Sequence, residues 1–323
     1  MKEQYAIGVD LGGTKIEIAC VDSNGTVLKK LRLATDVNGG SQAVQNQIIA
    51  GINEIRSDLS IPVIGIGIGV AGQIDPHSGI VHFAPNLNWH RVPLRDNIAS
   101  ALHMPVFIIN DVKAAAWGEW LFGAGVGHED VVCMFVGTGI GGAIISGGKM
   151  LDGCSNTSGE IGHMTIDMRG PMCTCGNRGC LEAISGGWAI AKHAKESILT
   201  YQTANSTLLE LADGKIENVS AKTVIEAVRK HDYLAQLILE HVKQGLIAGC
   251  VSIVNAVNPS KLILGGGIID GAPELIPLIE WGIRQRALQA AVSSLHVASA
   301  KLGKEANVIG AATFAIRTIN SEE

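Results

Sequence analysis

Residues that can bind a metal ion cluster in the middle of the chain. His163, Cys173, Cys175 and Cys180 follow one another with the spacing H-x9-C-x-C-x4-C. Zinc prefers tetrahedral sites of thiolate and imidazole, and a site with four protein ligands leaves no coordination position for a reacting water. The pattern therefore predicts a structural zinc site with a Cys3His ligand set, and not a metal that generates hydroxide.

The alternatives for these cysteines are disulfide bonds or free thiols beside an unrelated histidine. The chain has seven cysteines, an odd number, and Cys173 and Cys175 are separated by a single residue, which is a poor spacing for a disulfide. Two carboxylates, Glu160 and Glu182, flank the metal pattern. A metal bound here would tie the segments that carry both carboxylates to one centre.

Composition restricts the class of protein. The chain has 323 residues, of which 47% are hydrophobic and 17% charged, as expected of an ordered globular chain of about two domains. The net charge of −5 and the lack of a long basic run argue against nucleic-acid binding. We find no signal peptide and no membrane-spanning segment, so we expect a cytoplasmic protein without a membrane partner.

Glycine-rich motifs point to phosphate binding. The segments 67–72 and 137–142 both fit G-x-G-x-x-G, but neither is followed by a helical pattern, so they do not predict a dinucleotide site. The chain also lacks a G-x-x-x-x-G-K-[ST] motif. Instead, two predicted hairpin turns can offer backbone N–H groups and a threonine hydroxyl to phosphate oxygens. The residues concerned are Asp10, Gly12, Gly13, Thr14 and Lys15 in the first turn, and Gly137, Thr138 and Gly139 in the second.

The periodicity of apolar residues predicts the elements that carry these turns. Strands alternate with helices, and a hairpin with a glycine turn opens each half, which suggests an internal duplication. Predicted strands are 5–10, 16–21, 26–33, 62–70, 105–110, 131–136, 142–146 and 261–264. Predicted helices are 42–56, 112–122, 181–197, 221–229 and 233–257, with a surface turn at 208–214. The glycines, 40 in all, suggest backbone that lies close to ligands.

Asn110 and Asp111 follow a predicted buried strand. Ligands of open α/β sheets bind at the carboxyl ends of the strands, where a carboxylate suits a general base. Asp10 ends another strand and suits a magnesium ligand that acts through water. The alternative is that Asp111 only caps the following helix.

Taken together, these motifs resemble the ROK (repressor, open reading frame, kinase) family, from residue 5 to about 315. The resemblance rests on Asp10-Leu-Gly-Gly-Thr-Lys15, Asn110-Asp111, Gly137-Thr-Gly139-Ile-Gly141-Gly142, Gly159-Glu160-Ile-Gly-His163 and Cys173-Thr-Cys175-Gly-Asn-Arg-Gly-Cys180-Leu-Glu182. It implies an α/β fold of the actin-like, hexokinase-type ATPase class, with two α/β domains and an active-site cleft between them. We expect a small domain at 1–110 plus 306–323, and a large domain at 111–305 that contains the zinc motif.

The resemblance also implies a role for each matching residue. Asp111 would be the catalytic base and would touch the sugar. The further sugar contacts would be Gly72, Asn86, Asn110, Glu160, His163 and Glu182, and the strand 261–264 would present Gly265, Gly266 and Gly267 to the nucleotide, beside the two turns. The implied cofactors are ATP, Mg²⁺ and structural Zn²⁺. The implied assembly is a homodimer or higher homo-oligomer.

The implied activity is phosphorylation of a hexose by ATP, with the 6-OH of glucose favoured by the segment 85–89. N-acetylmannosamine, N-acetylglucosamine, fructose or allose remain alternative substrates, and a non-catalytic sugar-responsive regulator is an alternative class. A DNA-binding repressor of the family would carry a helix-turn-helix before the first phosphate turn, for which we expect no room here. The chain departs from the family pattern at Lys113, which would alter the charge near the base, and at Ala71, where proline is usual.

Overall fold

The structure is a computed structural model that describes residues 3–59, 61–201 and 206–322. The strands are β1 (Tyr5–Leu11), β2 (Lys15–Asp22), β3 (Val27–Ala34), β4 (Val63–Val70), β5 (Gln73–Asp75), β6 (Ile80–Ala84), β7 (Trp89–Val92), β8 (Val106–Asn110), β9 (Val131–Val136), β10 (Ile140–Ser146), β11 (Lys149–Met150), β12 (Lys261–Gly265) and β13 (His296–Ser299). The α-helices are α1 (Gly40–Ser57), α2 (Leu94–Leu102), α3 (Asp111–Phe122), α4 (Leu181–Ser185), α5 (Gly187–Tyr201), α6 (Thr207–Glu210), α7 (Ala221–Arg229), α8 (Tyr233–Val257), α9 (Gly267–Gly271), α10 (Leu275–Arg286), α11 (Gln289–Val292) and α12 (Ala306–Glu322).

The chain divides into two compact units. The first comprises Met1–Gly127, Asp152–Ser158 and Lys301–Glu323, and the second comprises His128–Leu151 and Gly159–Ala300. This division differs from the predicted boundary after residue 110, because α3 packs against α12 and so belongs to the first unit. The backbones of the two helices are so close that a Cβ at Gly310 of α12 would collide with the carbonyl oxygen of Ala114 in α3.

The main sheet of the first unit has the strand order β3-β2-β1-β4-β8. Strand β1 forms an antiparallel hairpin with β2, and it pairs in parallel with β4, which pairs in parallel with β8. The carboxyl ends of β1, β4 and β8 therefore lie at one edge, where Asp10 and Asn110 are found. A second, three-stranded sheet has the order β5-β6-β7.

The main sheet of the second unit repeats this plan. Its order is β11-β10-β9-β12-β13, with β9 and β10 antiparallel and β9, β12 and β13 parallel. In each unit the first strand is thus central. It forms an antiparallel hairpin with the next strand, and on its other side it pairs in parallel with a strand that comes later in the chain. The shared order supports the duplication that the sequence suggests.

Helices cover both faces of the first unit's sheet. On one face, Ile7 and Val9 of β1 pack against apolar residues of α1 such as Ile48 and Ile52. On the other face, small residues admit α12: a Cβ at Gly8 would collide with the carbonyl oxygen of Val308, and a Cβ at Gly67 would collide with that of Ala311. These glycines therefore serve close helix packing and not ligand binding.

Helix α8 is the central element of the second unit's core. Ile238, Val242 and Leu246 of this helix are buried among apolar side chains of β9, β12, α7 and α10. Among the described residues it is the helix that is long and apolar enough to cross a membrane by length and composition, with 56% of its most apolar window buried. A buried core helix passes the same test, and the packing of α8 is that of a core helix.

The helix predicted at 181–197 is broken in the structure. Helix α4 ends at Ser185 and α5 begins at Gly187, with Gly186 in an extended conformation between them. The break allows the first N–H groups of α5 to bond to a loop: the amide of Gly187 donates to the carbonyl of Gly137, and the amide of Trp188 donates to that of Thr138. Apolar periodicity runs through both helices and conceals the break.

Candidate active site

Asn110 and Asp111 lie where β8 passes directly into α3. The side chain of Asn110 caps the helix, because its Oδ1 accepts from the amide of Lys113 at 3.2 Å. Its Nδ2 donates to the carbonyl of Gly72 at 3.4 Å. The capping role considered for Asp111 thus belongs to Asn110, and Asp111 is the half-buried first residue of the helix.

The turn between β1 and β2 is held by bonds within the first unit. The amide of Gly12 donates to the carbonyl of Lys15 at 3.0 Å, and the hydroxyl of Thr35 donates to the carbonyl of Gly12 at 2.7 Å. A Cβ at Gly13 would collide with the carbonyl oxygen of Asn86. The protein itself therefore requires glycine at position 13. Gly13, predicted to bind phosphate, and Asn86, predicted to contact the sugar, are thus neighbours.

Asp10 is a nearly buried carboxylate at the end of β1. Its Oδ1 accepts from Nδ2 of Asn307 at 2.9 Å, and its Oδ2 lies 3.7 Å from Nζ of Lys15. Burial raises the pKa of Asp10 above its usual value, although Asn307 and Lys15 act in the opposite direction. Sequence reasoning missed Asn307, because it lies on α12 at the far end of the chain and no motif contains it.

The turn at Gly137–Gly139 joins β9 to β10. The amide of Gly137 donates to the carbonyl of Gly139 at 2.9 Å, and the first two amides of α5 hold the carbonyls of Gly137 and Thr138. A Cβ at Gly137 would meet no protein atom within 4 Å. Packing within the protein does not require glycine there, which favours a role in the approach of a ligand to the backbone.

Glu182 lies against this turn. Its Oε2 accepts from the amide of Ile140 at 2.8 Å, and its Oε1 accepts from Nε1 of Trp188 at 3.1 Å. A Cβ at Gly139 would collide with Oε2. The structure therefore brings a residue predicted for the sugar together with the turn predicted for phosphate. Trp188 was missed because no motif marks it.

A cavity of about 590 Å³ opens beside the same turn. Its volume lies in the range of small-molecule sites. Helix α7 forms one wall, and the start of α9 brings Gly267 to the cavity. Gly266 has a φ of +89° and a Cβ at Gly265 would lie 2.8 Å from that of Ala300, so both positions favour glycine for reasons of their own. The lining comprises Gly137, Thr138, Gly187, Trp188, Ala191, Val219, Ser220, Ala221, Lys222, Ile225, Glu226, Arg229, Gly267, Ile268 and Gly271.

The four predicted metal ligands converge. One ligand atom from each of His163, Cys173, Cys175 and Cys180 lies within 4.8 Å of the others. Sγ of Cys173 is 3.7 Å from Nδ1 of His163, and Sγ of Cys175 is 3.7 Å from Sγ of Cys180. A tetrahedral zinc with bonds of about 2.3 Å to sulfur would place the sulfurs about 3.8 Å apart. The donor set and its spacing therefore fit zinc.

The thiols of this cluster differ in their surroundings. Burial and the neighbouring thiols raise the pKa of Cys180 to about 12, whereas a hydrogen bond from the backbone of Asn177 lowers the pKa of Cys175. Zinc binds thiolates and so would remove the proton that burial keeps on Cys180.

Glu160 and His163 lie at the two ends of one short turn. The amide of His163 donates to the carbonyl of Glu160 at 3.0 Å, and Ile161–His163 forms a 3-10 helix. The side chain of Glu160 is exposed. Because Nδ1 of His163 faces the cysteines, Nε2 is the ring nitrogen left for another partner.

The predicted site residues come from both units. Asp10, Gly12, Gly13, Thr14, Lys15, Gly72, Asn86, Asn110 and Asp111 belong to the first, and Gly137, Thr138, Gly139, Glu160, His163, Cys173, Cys175, Cys180, Glu182, Gly265, Gly266 and Gly267 belong to the second. Lys113, expected to alter the charge near Asp111, has its ammonium paired within the first unit with the carboxylate of Asp152.

Comparisons with known proteins identify the family of the chain. The family model described as "ROK family" matches residues 6–318. The glucokinase of Thermotoga maritima is 36% identical over 97% of this chain and 98% of its own length. The crystal structure of a ROK family glucokinase from Streptomyces griseus in complex with glucose and AMPPNP is 34% identical, with a TM-score of 0.81 over 97% of this chain and 99% of that one.

The chain is also similar to a regulator. The xylose repressor of Bacillus spizizenii is 31% identical over 98% of this chain, which spans 78% of the repressor's length. The sequence-based expectation of the actin-like, hexokinase-type fold is confirmed by the structural neighbours. The motifs, the repeated sheet order and the match over nearly the whole length lead to one conclusion: the chain belongs to the ROK family.

Proposed function

We propose that this protein is an ATP-dependent hexose kinase that transfers the γ-phosphoryl group of ATP to the 6-OH of glucose. The observation that carries the proposal is the similarity, over nearly the whole chain, to a glucokinase structure that contains glucose and an ATP analogue. The ROK hexokinase of Thermus thermophilus, 29% identical with a TM-score of 0.86, supports the same class of reaction.

On the acceptor side, we assign Asp111 as the base that accepts the proton of the sugar hydroxyl as the bond to phosphorus forms. Its place at the carboxyl end of β8 supports this role. Asn110 and Gly72, which are already hydrogen-bonded to each other, would contact the sugar together with Asn86. Glu160, His163 and Glu182 would accept hydrogen bonds from, or donate them to, the other hydroxyls.

On the donor side, the two glycine turns would hold the phosphates through backbone N–H groups. The cavity beside Gly137 and Thr138 supports a nucleoside triphosphate over a linear polyphosphate, because its walls are mainly apolar and a polyphosphate has no apolar part to bury. We therefore infer that the adenosine of ATP lies between α7 and the start of α9, with Gly265, Gly266 and Gly267 nearby.

Two metals belong to the proposal. Asp10 would hold Mg²⁺ through water, and when bound the ion would neutralise charge on the transferred phosphoryl group. Zn²⁺ would bind His163, Cys173, Cys175 and Cys180 as a structural ion, which the spacing of the four ligand atoms supports. When bound, the ion would fix the short turn between Glu160 and His163 through His163, and the start of α4 through Cys180.

We further propose a cytoplasmic enzyme that acts as a homodimer or higher homo-oligomer, with a sugar and ATP as its small-molecule partners and no nucleic acid or membrane partner. The family resemblance supports the assembly, and light scattering of the purified chain measures it. A mass equal to one chain at micromolar concentration would contradict it.

The test is a phosphorylation assay over a panel of hexoses with ATP and Mg²⁺. We expect glucose to have the highest kcat/KM and the product to carry phosphate on O6, which phosphorus NMR identifies. N-acetylmannosamine, N-acetylglucosamine, fructose and allose are the competing substrates. Binding of a sugar without phosphorylation of any would instead indicate a sugar-responsive regulator.

A further inference from the structure

We propose that Glu182 is a positioning residue for the Gly137–Gly139 turn, a role separate from the sugar contact that the family resemblance implies. The proposal rests on the proposed function in one respect, namely that this turn receives the phosphates of the donor. All the contacts that carry it lie within the second unit.

The carboxylate of Glu182 connects the turn to the nucleotide cavity. One oxygen accepts from the amide of Ile140, the residue that follows the turn, at 2.8 Å. The other accepts from the indole N–H of Trp188, which lines the cavity, at 3.1 Å. Hydrogen bonds to an ionised acceptor are stronger than neutral ones. One side chain thus fixes the end of the turn and the ring of the cavity wall.

The backbone completes the same arrangement. The amides of Gly187 and Trp188 donate to the carbonyls of Gly137 and Thr138, both at 2.9 Å. The carbonyls of the turn are therefore held by α5, and Ile140, the residue that follows the turn, is held by Glu182. A group that binds phosphate through backbone N–H gains affinity when the backbone is fixed beforehand, because less ordering is needed upon binding.

The chemistry at position 182 is specific. Both partners are N–H donors and each meets a different oxygen of Glu182, so the side chain must offer two separate acceptor atoms, as a carboxylate does and an amide does not. Glutamine would point an N–H₂ group at one of the two donors. The backbone of Glu182 is itself fixed near Cys180, the N-cap residue of α4 and a member of the metal-ligand cluster.

The first measurement is binding of a non-hydrolysable ATP analogue with Mg²⁺, by calorimetry without sugar. We expect Glu182→Gln to weaken binding by about 10-fold or more, because a charge-assisted bond is replaced by a clash of donors. Trp188→Phe should weaken it less, and the double variant should lose less than the sum of the two, since the clash is then relieved. Glu210→Gln, at an exposed carboxylate on α6, is the matched control.

The second measurement is hydrogen exchange of the peptide that covers residues 137–141, without any ligand. We expect faster exchange in Glu182→Gln and an unchanged rate in Glu210→Gln. Unchanged exchange together with unchanged analogue affinity would overturn the proposal, as would a loss of sugar affinity alone. If exchange is faster in Glu182→Gln but the parent protein binds no nucleotide, the positioning role of Glu182 stands and the assignment of the turn to the phosphates of ATP is wrong.

Discussion

Nζ of Lys113 lies 2.8 Å from Oδ1 of Asp152, and the same ammonium donates to the carbonyl and side-chain oxygens of Asn156. The three bonds satisfy the three hydrogens of a buried lysine. They attach the segment Asp152–Ser158 to the helix that begins with Asp111, and this explains why the segment belongs to the first unit although the chain on either side belongs to the second.

Replacement of Lys113 by methionine keeps the bulk of the side chain but removes these bonds. We expect Lys113→Met to lower the free energy of unfolding by about 1–3 kcal/mol and to speed hydrogen exchange in residues 152–158. Asp152→Asn should cost less, since this carboxylate is 60% exposed and water replaces part of its interaction. Equal exchange rates in the parent and Lys113→Met would show that the segment is held by other contacts.

Loss of one metal ligand should affect metal content and stability together. We expect Cys175→Ser to reduce the zinc bound per chain and to lower the melting temperature by about 5–15 °C, because the energy of metal binding is also folding energy. Elemental analysis and calorimetry on one preparation measure both. Cys154→Ser, at an exposed thiol outside the cluster, is the control. A native protein free of zinc, with the same stability as Cys175→Ser, would refute the metal site.

The raised pKa of Asp10 predicts a dependence of stability on pH. The folded state keeps the proton of this carboxyl to a higher pH than the unfolded state, whose pKa is near the ordinary value of 3.8. As the pH rises from 3.8 through the raised pKa, the unfolded state loses this proton before the folded state does. The contribution of Asp10 to the free energy of unfolding therefore decreases over that interval.

Asp10→Asn removes this titration. We expect the melting temperature of the variant, relative to the parent, to increase as the pH is raised from about 4 to about 7. Asp213→Asn, at an exposed position, should show no such trend. A variant that loses stability relative to the parent over that interval would mean that the bonds of Asp10 to Asn307 and Lys15 outweigh its burial.

The sequence predicts elements whose signals are local. Except for the helix expected at 181–197, which is broken at Gly186, the predicted strands and helices appear within a few residues of their expected bounds. The longer elements that it does not predict are α2, α10 and α12, and the shorter ones are β5–β7, β11, β13, α6, α9 and α11. Helix α12 is rich in small residues, which allow its close packing on Gly8 and Gly67 but make its apolar face less conspicuous in the sequence. Strand β13 has only four residues and is recognisable once β12 offers it an edge.

The site shows the same limit. The sequence motif predicts that His163 and the three cysteines lie together, because their types and spacing are those of a zinc site, and the structure places their ligand atoms within 4.8 Å of one another. They do not reveal Asn307 beside Asp10 or Trp188 beside Glu182, since these contacts join distant parts of the chain and use residues that are common in any helix. The role of Gly13 also differs from its expectation, because Asn86 and not only a ligand excludes a side chain there.

The assignment of Asp111 as the base of a hexose kinase is tested most directly by Asp111→Asn, with kcat and sugar binding measured on the same preparation. The amide keeps the shape of the side chain and removes its basicity, so we expect kcat for glucose to fall by roughly 10²- to 10⁴-fold while the Kd for glucose changes little. A variant with near-parental kcat would contradict the assignment of Asp111 as the base.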